Sequence, residues 1–125
     1  MGSWNVGAFD NDKAMDTLAM LENVNEEGLK AFLWTALDSV HEEIRTFAIG
    51  LIEVIHTDNM EHINIEYTKT FIQLFIQTVA IDDGLLRREA YQRVCLMLEQ
   101  GNINQWRDWS AREKELLRMR DNLAD

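Results

Sequence analysis

The sequence predicts an all-α fold, a single-domain bundle of five or six amphipathic helices with an N-terminal aromatic arm. Three observations predict it. The 125 residues contain no proline and only six glycines, so few positions force the chain out of a helix. Apolar residues recur at i, i+3, i+4 and i+7 along most of the chain, the period of a helix with one face on a core. A composition of 46% hydrophobic and 27% charged residues is globular, in a chain long enough to build one core without metals or disulfides.

Residues 1–10 read as an arm that tucks Trp4 and Phe9 onto the body, with Gly2 and Gly7 permitting the turns. Asp10, Asn11 and Asp12 are good N-cap residues for a first helix reaching about Glu22. Its inward residues are Ala14, Leu18 and Leu21, or Met15 and Ala19. Asn25 caps the second helix, whose first turn holds Glu26 and Glu27, the favourable sign at a helix N-terminus. Leu29, Phe32, Leu33, Ala36 and Leu37 form its stripe. Ser39-Val40-His41-Glu42 fits a capping box and marks the next boundary. The third helix has the cleanest stripe, Ile44, Phe47, Ala48, Leu51, Ile52 and Ile55, and residues 56–63 read as a loop.

A fourth helix begins near Asn64 and sends Tyr67, Phe71, Leu74, Phe75, Thr78 and Val79 inward. Asp82-Asp83-Gly84 is a turn into the fifth, which buries Leu86, Ala90, Val94, Met97 and Leu98 and leaves Arg87, Arg88, Glu89 and Arg93 largely outside. Gly101 suits the left-handed position that closes it. Asn102 and Gln105 are candidate caps for the sixth helix. Trp106, Trp109, Leu116 and Leu123 give that helix an apolar side, and Arg112, Glu113, Lys114, Glu115 and Arg118 a mixed, solvated one.

The net charge of −10 is unevenly placed. Residues 1–66 carry thirteen Asp or Glu against three Lys or Arg, and residues 67–125 carry nine of each. Binding a phosphate backbone draws on clustered Lys and Arg, so the expectation is no nucleic-acid partner. No apolar run is long enough to span a bilayer, and no basic segment leads an apolar one at the N-terminus, so neither membrane association nor a secretory signal is expected. With Cys95 alone, no disulfide framework is expected, and a cytoplasmic setting is the default.

Candidate chemistry is sparse. Asp38 with His41, and Glu53 with His56, each set a carboxylate and an imidazole one turn apart, the spacing used by carboxylate-bridged metal bundles. On one straight helix the two pairs would stand about 22 Å apart, and matching Glu ligands elsewhere are not evident. Arg45 occupies the place where a zincin motif beginning at His41 needs its second histidine. Cys95, among Val94, Leu96 and Met97, reads as a small core residue without an activating neighbour. Ser3, Ser39 and Ser110 lack a strained elbow, and no glycine loop cradles phosphate. No catalytic residue, metal site or cofactor is expected.

Trp4, Gly7, Phe9, Asn11, Asp12, Ala14 and Asp16, with Met1, Gly2 and Asp10, resemble the N-terminal signature of a mostly bacterial group of small proteins, the domain of unknown function 4259 family. The signature spans about sixteen residues. The resemblance implies an all-helical bacterial protein and brings no activity with it. The functional expectation is a non-catalytic protein-interaction module. Its partner is another copy of itself or a basic protein, neutralised as small acidic immunity proteins neutralise nuclease toxins. The alternative is a metal- or small-ligand-binding bundle using Asp38, His41, Glu53 and His56.

Overall fold

The computed structural model describes residues 12–21, 24–57, 66, 68–70, 72–73, 84–101 and 108–124, with side chains from Asp16 onward. The expected arm with Trp4, Gly7 and Phe9, the signature residue Asn11, and Trp106 with the candidate caps Asn102 and Gln105 lie outside the described residues. Among those described, every regular element is an α-helix: α1 (Asp12–Met20), α2 (Glu26–Leu37), α3 (Glu42–Thr57), α4 (Gly84–Gln100) and α5 (Trp109–Leu123). Residues 66, 68–70, 72 and 73 are also helical, with Thr68 and Ile72 buried. The chain is an all-α bundle.

Most boundaries follow the local chemistry. Asn25 caps α2 as expected, its Oδ1 accepting from the Gly28 N–H at 2.8 Å. Gly101 ends α4 with φ of +64°, the left-handed conformation that glycine adopts without steric cost. Asp108 caps α5 by accepting from the Ala111 N–H at 3.1 Å. The boundary at Ser39 is real, but the capping box is not formed. Ser39 Oγ accepts from the His41 N–H, and it is the His41 carbonyl that accepts the first helical bonds, from Ile44 and Arg45. At its far end α3 runs through Thr57, so His56 belongs to the helix and not to the expected loop.

The core gathers from every labelled helix. Leu18 of α1 and Leu21 just beyond it are buried and Ala19 is exposed, while the side chains of Ala14 and Met15 lie outside the described ones. Leu29, Leu33, Ala36 and Leu37 of α2 are buried, and Phe32 meets Phe47 edge-on at 6.4 Å between ring centres. In α4 the buried set is Leu86, Ala90, Val94 and Met97, and in α5 Leu116, Met119 and Leu123 join Arg112. Cys95 is half-buried and stands outside the fully buried core.

α3 departs most from the amphipathic expectation. It packs against α1, α2, α4 and α5, and all nine residues from Thr46 to Val54 are buried. A helix surrounded on all sides has no solvated face, so its one central acid, Glu53, is buried with the rest.

Candidate functional site at the α2–α3 corner

Burial of α3 dictates the site's electrostatics. An isolated carboxylate does not stay charged away from water, so Glu53 needs donors. Two come from α5: Arg118 forms an ion pair through Nη1 with Glu53 Oε2, and Asn122 Nδ2 donates to the same oxygen at 2.6 Å. Arg118 also pairs with Glu115 at 2.9 Å. Two turns earlier, Arg112 lies fully buried, donating from Nη2 to Thr46 Oγ1 at 2.7 Å and pairing with Glu42 at 3.3 Å. Burial lowers its pKa below the ordinary arginine value, against the opposing pull of Glu42. Because Arg112 reaches the start of α3 and Arg118 its later turns, α3 and α5 run in the same direction.

The expected solvated face of α5 is thus corrected. Glu113 and Lys114 are exposed, but Arg112 is interior and Arg118 half-buried, because α5 lays this side against α3.

A second correction concerns α4. Arg93, expected outside, is half-buried and joins three partners: the Leu37 carbonyl at the end of α2 (2.7 Å), Asp38 (2.5 Å) and Glu89 (3.0 Å). Burial works against its charge, and the hydrogen bonds to Asp38 and Glu89 outweigh that, so its pKa lies above the ordinary arginine value. Arg87 likewise donates to the Leu123 carbonyl at 2.6 Å, at the end of α5. A guanidinium at a helix C-terminus satisfies carbonyls that have no partner within the helix and complements the negative end of its dipole. These long-range caps are invisible to a reading confined to one helix at a time.

The corner between α2 and α3 is where these features meet the surface. On one side of residues 38–39 lies an open depression of about 650 Å³, walled by Phe32, Trp34, Ala36 and Ile44. On the other lies a cleft of about 350 Å³, bounded by Arg45, Arg93, Leu96, Met97 and Gln100. Around them Val40 is 88% exposed, Leu96 52% and Trp34 41%. Exposed apolar side chains grouped about a concave surface mark a place where something else can dock.

The residues singled out from sequence are dispersed. Asp38 is 70% exposed at its side chain and held by Arg93. His41 and His56 are exposed, whereas Glu53 of α3 is buried and committed to α5. No three His, Cys, Asp or Glu among the described residues gather closely enough to hold a metal ion. The geometry therefore gives the alternative ligand set Asp38, His41, Glu53 and His56 no common centre. Of the signature residues, Asp12 begins α1 and Asp16 is exposed on it.

The comparisons with known proteins bear on the same end of the chain. Residues 2–47 match a family described as Domain of unknown function (DUF4259). The match runs past the opening signature through α1, α2 and the corner to Phe47. No curated protein and no solved structure matches the chain.

Proposed function

We propose that this chain, whose residues 2–47 match the DUF4259 family, is a non-catalytic cytoplasmic module that acts by binding another protein, a basic one in its most concrete form. The observation that carries the reading is how the fold spends its arginines. Arg93, Arg112 and Arg118 pair with Asp38, Glu42 and Glu53, cancelling three first-half carboxylates. Among the described residues, Asp16, Glu26, Glu27 and Glu43 have no salt-bridge partner, and the first three are exposed. A surface whose negative charge has no internal counterpart attracts a positively charged partner, speeds its approach and repels acidic competitors. Neutralising a basic toxin, as immunity proteins do, is one action of this kind.

The test is a variant in which Asp16 becomes Asn and Glu26, Glu27 and Glu43 become Gln. Purified at low salt from cells that make the protein, the natural chain is expected to retain a basic protein that dissociates as salt rises, because surface charge attraction is screened. The variant, folded by circular dichroism, is expected to retain none. Equal retention by both chains, unaffected by salt, would overturn the reading.

A second reading takes another copy of the chain as the partner. Trp34, Val40 and Leu96 lie exposed around one corner, a grouping that a self-association would cover.

A further inference from the structure

The 350 Å³ cleft holds a cation that the fold has not neutralised. Arg45 is half-buried, and its Nη1 is fixed by donation to the Ser39 carbonyl at 2.6 Å. Among the described residues it has no ion pair, in contrast to Arg93 across the cleft, whose charge is answered by Asp38 and Glu89. Its position also sets it near the buried Arg112, whose charge it opposes. In a chain of net charge −10, acids are plentiful, so a cation left without one beside a concave surface is the anomaly to explain. One guanidinium edge, already oriented by a backbone carbonyl, suits a planar anion that accepts two parallel N–H bonds. Beside it Leu96 and Met97 line the same cleft, and Leu96 is 52% exposed. Gln100 adds an amide donor.

We propose that this cleft binds a carboxylate carrying a short aliphatic chain, with the carboxylate on Arg45 and Gln100 and the chain against Leu96 and Met97. The overall field of the protein repels anions, so the attraction is local and the affinity modest. Asp38, at the rim, opposes the ligand and sets an upper limit on it. The same chemistry is offered by the C-terminal residue of a peptide chain and by a free short-chain carboxylic acid. The site is independent of the acidic surface invoked above and stands whether or not a basic partner exists.

The experiment is an NMR titration of the labelled full chain with three probes: hexanoate, N-acetyl-leucyl-leucine with a free carboxylate, and the same dipeptide as its amide. A free carboxylate is expected to shift the Arg45 side-chain and Leu96 methyl signals to saturation, while the amide leaves them in place. Arg45→Gln is expected to weaken binding by at least about tenfold, the weight of a charged hydrogen bond. Asp38→Asn is expected to tighten it by removing a like charge. A response to the peptide acid alone assigns a chain terminus, and a response that includes hexanoate assigns a free acid. The proposal is overturned if neither acid produces a saturating shift, if the amide binds as well as the acid, or if Asp38→Asn weakens binding. The amide comparison needs no variant, so it decides the matter even where Arg45→Gln disturbs the corner.

Discussion

Glu53→Ala is expected to destabilise the protein by about 3–5 kcal/mol, the cost of breaking a buried ion pair by removing one partner. The carboxylate is fully buried and accepts from both Arg118 and Asn122. Without it, the Asn122 amide and one arm of Arg118 lose their acceptor, and a cavity opens beside the central helix. Because domains are stabilised by only about 5–15 kcal/mol, the loss is a large share of the total. Urea denaturation of the two chains measures it. A change below about 0.5 kcal/mol, the range of ordinary surface substitutions, would show that Glu53 is not where the structure places it.

Arg112→Ala is expected to cost a similar amount, again about 3–5 kcal/mol. Here the lost volume is larger, since Arg112 is the bulkiest fully buried side chain among the described residues. The informative comparison is Arg112→Met combined with Glu42→Gln. That pair keeps most of the volume and removes both charges, and replacing a buried ion pair by apolar groups of similar size is often neutral or stabilising. The double variant is therefore expected to recover most of the stability that Arg112→Ala loses. If it is as unstable as Arg112→Ala, the hydrogen bond to Thr46 matters more than either charge or volume.

These two sites also show how far the sequence could be read. The helices, the Asn25 cap, the Gly101 terminus and the stripes of α2 and α4 follow from local rules that act within a few residues, and a single sequence displays them. The packing around α3 does not. Its marker was present, because Ile49, Gly50 and Val54 lie off the expected stripe and carry no charge, so that side of the helix was also dry. Arg112 had a marker too. It falls on the line Trp109, Leu116, Met119 and Leu123, three or four residues from the neighbours flanking it, and a charge on an apolar line calls for a buried partner. No sequence rule supplied that partner, which lies seventy residues away in Glu42.

The uneven charge was legible, but its fate was not. Counting charges by half gives an acidic first part and a balanced second one, and it cannot tell which arginines face inward. In the fold, three second-half arginines are consumed by first-half acids, and Arg87 is spent on a helix end. Among the described residues, the first-half acids left outside those pairs are Asp16 on α1, Glu26, Glu27 and Glu43 in the N-terminal turns of α2 and α3, and Glu66. The α2–α3 corner was visible only as a helix boundary, because its smaller cleft is closed by α4, which is distant in sequence.

Whether this chain works by holding another protein is read from its native mass after gentle purification from cells that make it. The mass is to be measured at low and at high ionic strength. The expected mass is well above the 14.6 kDa of one chain at low salt, falling toward that value as salt rises. A mass of one bare chain under both conditions would contradict it.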